Sequence, residues 1–449
     1  MDEVSGIQAV AWGLLDGGIE IITAYPGFHA HELASLLGIQ VFSVNEKNSL
    51  ALAWGASLAG VRSVSIFKNL GLNDAADPFI NICTLGVHAG MVLVVLDDID
   101  VQQSQILQDS RPYADFPCSL WLEPCSLQDA YDLARQAPQL SEQLKTLVVL
   151  RLTNLLTMES SQLIRQKPEK ARLNWCRKPE HWVVHPVNGK LQRRNLEERQ
   201  GKVYDWIEEL YSQPNFSPGA VVNIIVGMVD RDVDLDHEIV LKAYPLPRRW
   251  LASLAASSAN FVVKEHGLPY LADKLAAGIG AQRVQTVPLK NNHEGSYRIT
   301  DKYEALYAIL RSVQNRFIVG DLGGHTLDPL RTIDSCLCYG CSVGVATGIA
   351  IAEPTLNVIC VTGDAAFLHT GKTAFAETID RQVPVSVIVL MNGGSVSTGG
   401  QILPGECQYD STRLEQYEMD FPLFCNDNNM RFLLNRPIRP RLIRLKTKF

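Results

Sequence analysis

The stretch from Asn357 to Gln401 reads NVICVTGDAAFLHTGKTAFAETIDRQVPVSVIVLMNGGSVSTGGQ. An apolar, β-branched run, Val358–Thr362, ends in Gly363-Asp364, and a second apolar run, Val383–Met391, ends in Asn392-Gly393-Gly394. The residues between the runs have a helical pattern, so the stretch predicts a βαβ unit with parallel strands and a right-handed crossover. Asp364 and Asn392 should then lie close together at the carboxyl ends of neighbouring strands, where open α/β sheets bind ligands.

The residue types at these strand ends indicate a metal and a phosphate. A carboxylate, an amide oxygen and a nearby loop carbonyl are hard oxygen ligands that suit Mg2+. A helix that starts just after Gly363-Asp364 would present backbone N–H groups to a diphosphate. Because Gly-Asp after a strand is common in α/β proteins, the pair alone predicts a metal site only weakly.

The spacing is more specific than the pair. Gly363-Asp364, followed 28 positions later by Asn392 and a glycine pair, resembles the diphosphate-binding motif of thiamine diphosphate enzymes. GDAAFLHTG and VLMNGGSVSTGGQ are similar to segments of the α subunit of indolepyruvate:ferredoxin oxidoreductase, as are KNLGLNDAADP and SQILQDSRPYA. The resemblance implies that Asp364, Asn392 and the carbonyl of Gly394 bind Mg2+. It also implies that these residues, with Gly363 and Ala365, bind thiamine diphosphate.

Glu46 lies in SVNEKNSLALAWGASLAG, after a short predicted strand over Val41–Val44 and before a small-residue helix over Asn48–Ala59. A glutamate at a helix start is favourable for electrostatic reasons alone. The segment also resembles the one that supplies the activating glutamate of thiamine diphosphate enzymes. That resemblance implies that Glu46 binds the cofactor's pyrimidine ring and promotes the tautomer that takes the thiazolium C2 proton.

Three further residues are candidates for the substrate side of the site. Arg111 could bind a substrate carboxylate through its two-pronged guanidinium, although most arginines form solvated or structural ion pairs. After Tyr25-Pro26-Gly27 the related oxidoreductases have Thr-Pro-Ser-Ser, whereas this chain has Phe28-His29-Ala30-His31. His29 and His31 could donate a proton to a reaction intermediate, or they could simply be two histidines at a helix start.

Strands that alternate with helices predict an α/β fold in three blocks with mostly parallel sheets. The resemblance implies a pyrimidine-binding-type domain at 1–160 and a diphosphate- and Mg-binding-type domain at 301–449. Between them we expect a linker at 161–202 and a middle αβ domain at 203–300. The last 19 residues, Arg431–Phe449, hold seven Arg or Lys and no acid, which predicts a basic C-terminal tail. In this family the cofactor lies between the first and third blocks across a dimer interface, so we expect at least a homodimer.

Composition excludes several classes of protein. The 449 residues are 46% hydrophobic and 20% charged, which is typical of an ordinary globular protein. The net charge of −7 argues against nucleic acid as a partner, and the longest apolar runs have the length of core strands and not of membrane spans. Ten scattered cysteines and an acidic start without signal-peptide features favour a cytoplasmic location.

The sequence therefore predicts a thiamine diphosphate- and Mg2+-dependent enzyme that acts on a 2-oxo acid of the aryl pyruvate type. The related α subunits carry C-x2-C-x2-C-x3-C runs for iron–sulfur clusters, and this sequence contains no such run. We therefore expect either clusters on a possible second subunit or a non-oxidative decarboxylase or carboligase. An inactive, cofactor-binding scaffold subunit is a further alternative, against which the combination of Glu46, Asp364 and Asn392 argues.

Overall fold

The structure is a computed structural model in which the chain forms two compact units, Met1–Gly295 and Ser296–Phe449. Each unit is described by itself. The part of the chain that the structure describes comprises residues 3–99, 107–116, 119–175, 177–183, 186–211, 216–217, 219–229, 238–286, 302–326, 328, 330, 332–337, 339–394, 401, 412–426 and 428–447.

The strands of the first unit form two main parallel sheets. The strands are β1 (Val4–Ser5), β2 (Ile21–Ala24), β3 (Ser63–Lys68), β4 (Met91–Asp97), β5 (Ser119–Leu122), β6 (Leu147–Thr153), β7 (Ser160–Ser161), β8 (Val221–Val226), β9 (Glu238–Leu241), β10 (Ala243–Tyr244), β11 (Asn260–Glu265) and β12 (Val284–Thr286). The first sheet has the order β10-β5-β6-β4-β3-β2 and is parallel except for the pair β10–β5. The second has the order β12-β11-β8-β9 and is parallel throughout.

Helices connect these strands, as parallel sheets require. They are α1 (Gly6–Asp16), α2 (Ala30–Leu36), α3 (Glu46–Leu58), α4 (Asn69–Asp74), α5 (Ala76–Leu85), α6 (Leu127–Leu144), α7 (Asn154–Met158), α8 (Pro179–Trp182), α9 (Gly189–Leu210), α10 (Arg248–Ala256) and α11 (Tyr270–Ile279). Side chains of the N-cap residues Ser5, Asn45 and Ser126 accept hydrogen bonds from the first turns of α1, α3 and α6, which sets where these helices begin.

Two expectations for the first unit differ from the structure. The strand predicted over Val41–Val44 is wrong: Val41 is 70% exposed, and this short extended segment joins no sheet. The predicted linker, 161–202, contains most of α9, a 22-residue helix that continues past residue 202. Arg199 explains why this basic segment is helical and packed, because its guanidinium donates to the carbonyls of Cys83, Thr84 and Lys145.

The second unit has one five-stranded parallel sheet in the order β13-β14-β15-β17-β16. Its strands are β13 (Arg316–Gly320), β14 (Asn357–Gly363), β15 (Ser386–Met391), β16 (Glu415–Asp420) and β17 (Arg441–Lys446), and its helices are α12 (Glu304–Ser312), α13 (Ser342–Ala352), α14 (Asp364–Ala366), α15 (Lys372–Asp380) and α16 (Phe421–Asn426). The parallel pair β14–β15 confirms the βαβ unit predicted from the sequence.

Alternation along the strands builds a core on each face of this sheet. Ile359, Val361 and Ile388 pack in one apolar cluster, whereas Val358, Cys360 and Val387 pack in the other. Helices α12 and α16 contribute to the first cluster, and α13 and α15 contribute to the second. Both faces are therefore covered, which is why these strands read as continuous apolar runs.

The prediction of a basic C-terminal tail differs from the structure. The tail residues Arg441–Lys446 form β17, an interior strand whose Leu442, Ile443 and Leu445 are buried. The basic side chains at the start and end of the strand pair with acids of β16: Arg441 with Glu415 at 2.6 Å and Lys446 with Glu418 at 2.7 Å. The positive charge is therefore neutralised within the sheet.

The predicted fold class is confirmed: the chain is α/β with three mostly parallel sheets. Within the described ranges, every helix is too short or too polar to cross a membrane.

Candidate functional site

The carboxyl ends of β14 and β15 bring Asp364 and Asn392 together, as the βαβ pattern predicts. The backbone N–H groups of Asn392 and Gly393 donate to Asp364 Oδ2 at 3.0 and 2.8 Å, and that of Ala365 donates to Oδ1 at 2.8 Å. Asp364 is 5% exposed. Burial raises the pKa of its carboxyl above the usual range, while the three N–H donors act in the opposite direction.

The side-chain amide of Asn392 and the carbonyl oxygen of Gly394 lie beside this carboxylate. The side-chain amide of Asn392 has two orientations, which are assigned from its hydrogen bonds. In the one that its hydrogen bonds disfavour, Oδ1 lies 2.9 Å from Asp364 Oδ1 and 2.6 Å from the carbonyl oxygen of Gly394; in the favoured one, Nδ2 takes that position and donates to both. Neighbouring ligands of octahedral Mg2+ at about 2.1 Å lie about 3.0 Å apart, so the first orientation matches a magnesium shell.

The backbone around these oxygens leaves room for a ligand. Among the residues that the structure describes, none has an atom within 4 Å of a Cβ added at Gly363 or Gly393, apart from each glycine's own chain neighbours. Gly393 also has a φ of +86°, a conformation that glycine adopts without strain. The residues at this edge therefore fit a metal-bound diphosphate: a carboxylate and two further oxygens for the ion, and open backbone for the phosphates.

Asp321 is a residue at the same edge that our interpretation of the sequence missed. It follows β13, is fully buried, and accepts from Gly340 N–H at 2.8 Å and from the Ser342 hydroxyl at 2.6 Å. Its carboxylate thus anchors the loop that leads into α13. The signal was available, since FIVGD at 317–321 repeats the apolar-run-then-Gly-Asp pattern of VTGD at 361–364.

Glu46 is the first residue of α3 and is 8% exposed. Gly71 of α4 lies directly against it, because a Cβ added at Gly71 would be 2.4 Å from Glu46 Cγ and 2.5 Å from Oε1. The Glu46 side chain therefore occupies the space that any larger residue at position 71 would need. The N-cap Asn45 accepts from Asn48 N–H at 2.8 Å and fixes the start of the helix.

Lys68 lies at the carboxyl end of β3 and was not singled out from the sequence. Its ammonium is 3.6 Å from the fully buried Asp98 and 5.8 Å from the centre of the Phe28 ring. Burial lowers the pKa of Lys68, although the negative charge of Asp98 opposes this. The carboxyl edge of the first sheet thus holds a buried cation beside the loop that contains the two histidines.

His29 and His31 have different surroundings. His29 has a φ of +55°; its Nδ1 lies 2.8 Å from Glu32 Oε2, and its buried Nε2 has no hydrogen-bond partner among the described residues. His31 instead places Nδ1 2.8 Å from the carbonyl oxygen of Gly27. A carboxylate that holds Nδ1–H leaves Nε2 as the proton-exchanging atom, so the geometry favours His29 over His31 as a proton donor.

The prediction that Arg111 could bind a substrate carboxylate differs from the structure. Arg111 is fully buried, and its Nε donates to both oxygens of Asp109 at 3.0 and 3.1 Å. Nη1 binds Glu265, and Nη2 binds Asp109 and the carbonyl of Leu268. With every nitrogen occupied, the guanidinium presents no free edge to a substrate carboxylate. Arg111 is a structural ion pair that joins the first sheet to the second, the alternative that the sequence left open.

The buried charges around Arg111 form a larger group. Arg151 is also fully buried and pairs with Asp97 at 2.9 Å and with Glu123, which accepts a hydrogen bond from Tyr244. The charges of Arg151 and Arg111 hold the pKa of Asp109 at about 2, although burial acts to raise it. These residues are far apart in the sequence, and no short motif indicates that they form a group.

The comparisons with known proteins bear on the same residues. A family model described as thiamine pyrophosphate enzyme, C-terminal TPP binding domain, matches residues 319–433, which include Asp364 and Asn392. Indolepyruvate oxidoreductase subunit IorA of Archaeoglobus fulgidus is 28% identical to this chain over an alignment of 483 positions that covers 89% of the chain and 76% of the relative. IorA of Pyrococcus abyssi is 27% identical with the same coverage.

Among solved structures, the 2-oxoglutarate:ferredoxin oxidoreductase of Magnetococcus marinus, bound to 2-oxoglutarate, coenzyme A and succinyl-CoA, aligns with 65% of this chain and 62% of its own. The TM-score is 0.48 and the sequence identity 16%. The family resemblance drawn from the motifs is confirmed by the sequence comparisons: the chain is similar to the indolepyruvate oxidoreductase subunits IorA over 89% of its length, and residues 319–433 match a thiamine pyrophosphate-binding domain.

Proposed function

We propose that this chain binds thiamine diphosphate together with Mg2+ and acts on a 2-oxo acid of the aryl pyruvate type. One observation carries the proposal: the Asp364 carboxylate, the side-chain amide of Asn392 and the Gly394 carbonyl converge at the ends of two parallel strands. The substrate class is suggested by the relatives, which are named indolepyruvate oxidoreductase subunits. Indolepyruvate is a 2-oxo acid with an aromatic substituent.

The residues of the second unit would hold the charged end of the cofactor. Asp364, Asn392 and the carbonyl of Gly394 would bind Mg2+, and the open backbone at Gly363 would lie against the diphosphate. The N–H of Ala365 is bonded to Asp364 in this structure. We therefore assign Ala365 to positioning the carboxylate as well as to the cofactor contact that the motif implies.

In the first unit, Glu46 would form the hydrogen bond that activates the cofactor. Thiamine diphosphate would supply a nucleophilic carbon that adds to the 2-oxo group, and a cationic ring that accepts the electron pair left when carbon dioxide departs. Glu46 is suited to its part because its carboxyl is buried and closely packed, so that its position is set by the protein. Arg111 has no part in this proposal.

Two outcomes follow from decarboxylation, and they differ in where two electrons go. In the oxidative outcome, a 2-oxo acid anion and coenzyme A give an acyl-CoA, carbon dioxide, one proton and two electrons for an acceptor on a second subunit. In the non-oxidative outcome, a proton takes the place of the lost carboxylate and an aldehyde is released; a carboligase would form a carbon–carbon bond instead. The buried Nε2 of His29, with Glu32 on the opposite ring nitrogen, favours the non-oxidative outcome as a second candidate.

The proposed partners are a second copy of this chain, a second subunit that accepts electrons, and the small 2-oxo acid. The exposed face of α3 supports self-association, because it presents Ala51, Leu52, Gly55 and Ala59 to solvent. We propose a cytoplasmic location on the same composition-based grounds as above.

Product analysis tests the proposal. The purified chain is given thiamine diphosphate, Mg2+ and either an aryl or an alkyl 2-oxo acid, with and without an artificial electron acceptor. We expect carbon dioxide release that requires both cofactors and is faster with the aryl acid. Aldehyde formed without the acceptor would identify the non-oxidative outcome, and acceptor reduction the oxidative one. Absence of thiamine diphosphate binding would refute the proposal altogether.

A further inference from the structure

Helix α4 is held between two parts of the first unit, and one of those parts contains Glu46. On one side, Gly71 lies against the Glu46 side chain, and Asp74 Oδ2 accepts from the N–H of Lys47, the next residue of α3, at 3.3 Å. The ammonium of Lys47 also pairs with Asp77 of α5 at 2.8 Å. The first turn of α3 is thus attached to α4 and to the helix that follows it.

On the other side, Gln108 is hydrogen-bonded to α4, and the bonds involve the side-chain amides of Gln108, Asn69 and Asn73. Asn69 Nδ2 donates to the Gln108 carbonyl at 2.6 Å, and Asn73 Nδ2 donates to Gln108 Oε1 at 2.8 Å. Gln108 Nε2 donates in return to Asn73 Oδ1 at 3.1 Å and to the Asn69 carbonyl at 3.3 Å. The Tyr113 hydroxyl adds a further bond to Asn73 Oδ1 at 2.8 Å. Asn69 and Asn73 of α4 are therefore held by hydrogen bonds to the segment 107–116.

The segment 107–116 is itself anchored at its centre. Ser110 N–H donates to Asp97 Oδ2 at the end of β4 at 2.9 Å. The neighbouring Arg111 is tied to Asp109, to Glu265 of β11 and to the carbonyls of His266 and Leu268. A continuous set of contacts therefore runs from the second sheet through Arg111 and Gln108 to α4, and from α4 to Glu46.

We propose that α4 and Gln108 form a clamp that positions the carboxylate of Glu46, with Gly71 and Gln108 as its positioning residues. The inference rests on the proposed role of Glu46 as the activating glutamate. It also assigns a purpose to Arg111: buried ion pairs anchor the segment from which Gln108 reaches α4. Because the Glu46 carboxylate must meet the cofactor at one point, a displacement of about 1 Å would lower activation by up to about a hundredfold.

Gly71→Ala tests the clamp from the side of Glu46. Alanine is a better helix former than glycine, so α4 itself should tolerate it, and the added methyl group can only be accommodated if Glu46 moves. We expect the rate of C2 proton exchange of bound thiamine diphosphate to fall by about a hundredfold. The dissociation constant of the cofactor should change by less than about threefold, since its diphosphate contacts are untouched. Gly201→Ala, in the open interior of α9, is the matched control.

Gln108→Ala tests the clamp from the other side. We expect C2 exchange to fall by about tenfold. In the cofactor-free protein, deuterium exchange of the amides of α4 and of the first turn of α3 should become faster. Gln128→Ala is the control, because Gln128 makes a comparable reciprocal bond pair with the backbone of Ile164.

A double-mutant comparison separates this inference from the proposed function. If Gly71 acts through Glu46, then Gly71→Ala should cause no further loss in a Glu46→Gln background. Rates for Gly71→Ala and Gln108→Ala equal to those of their controls, with Glu46→Gln inactive, would overturn the clamp and leave the role of Glu46 intact. Normal C2 exchange in Glu46→Gln alone would instead refute the proposed function.

Discussion

At the scale of single residues, Asp364 is the proposed charged ligand of the metal, because Asn392 and Gly394 contribute only neutral oxygens. Asp364→Ala should therefore abolish Mg2+-dependent binding of thiamine diphosphate, with a loss of affinity of at least about a hundredfold. Isothermal titration with and without Mg2+ measures this. Asp380→Ala, which removes an exposed carboxylate of the same unit, is the control. An unchanged affinity and metal dependence in Asp364→Ala would show that the ion is bound elsewhere.

Glu46 should behave in the opposite way, because its proposed task is activation and not affinity. Glu46→Gln keeps the shape of the side chain but cannot carry the negative charge that stabilises the required tautomer. We expect thiamine diphosphate to bind within about threefold of its normal affinity, while C2 proton exchange falls by about 10²–10⁴-fold. Proton exchange followed by NMR on the bound cofactor measures the effect. Equal exchange rates in the two proteins would exclude this role.

His29 and His31 can be separated by their hydrogen bonds. His29 pairs with a carboxylate, whereas His31 pairs with a backbone carbonyl. If the enzyme releases an aldehyde, His29→Gln should slow that release by about a hundredfold or more, and His31→Gln should have a much smaller effect. Aldehyde formation from an aryl 2-oxo acid is the measurement. The reverse order of the two effects would assign the proton donor to His31.

At the scale of secondary structure elements, β17 shows how local composition and burial can diverge. The segment is rich in arginine and lysine, yet three of its apolar side chains are buried in the core of the second unit. Ile443→Ala should lower the free energy of unfolding by about 2–5 kcal/mol, because it leaves a cavity in the apolar cluster between the sheet and helices α12 and α16. Urea denaturation measures the loss.

Ile438→Ala provides the control for that prediction. Ile438 belongs to the same C-terminal stretch but is 89% exposed. We expect its substitution to change stability by no more than about 0.5 kcal/mol. Equal effects of the two substitutions would mean that β17 does not contribute to the cooperative core.

At the scale of the whole molecule, the exposed face of α3 predicts a dimer. Ala51, Gly55 and Ala59 are spaced four residues apart on one helical face, which allows another helix to approach closely, and Leu52 beside them is 52% exposed. Sedimentation should give about twice the chain mass of 49.7 kDa. Leu52→Asp should shift the protein to the monomer, whereas Leu210→Asp, at an exposed position of α9, should not. A monomeric unmodified chain would refute this prediction.

The proximity of Asp364 and Asn392, which the sequence predicted, depends on a short-range pattern. Asp364 and Asn392 follow the two apolar runs of a βαβ unit, and parallel pairing of β14 with β15 brings their strand ends together. The same kind of local pattern predicts strands over Ser63–Phe67 and Met91–Leu96, which lie within β3 and β4. Such patterns failed at Val41–Val44, where the Ser43 N–H donates to the Ala24 carbonyl at the end of β2 at 2.9 Å, a single bond that does not make a strand.

What the sequence by itself determined is therefore the α/β class and the strand-end motif, since periodicity and turn residues act over a few positions. Only the tertiary structure decided what Arg111 and β17 do. The bond from Arg111 to Glu265 spans 154 residues, and it converts a candidate substrate ligand into a buried anchor. Gly71 likewise contacts Glu46 only in the folded chain. The basic C-terminal stretch is likewise buried as an interior strand only because it pairs with distant strands. Such contacts depend on which distant surfaces fold against each other, and no local pattern in the chain records that choice.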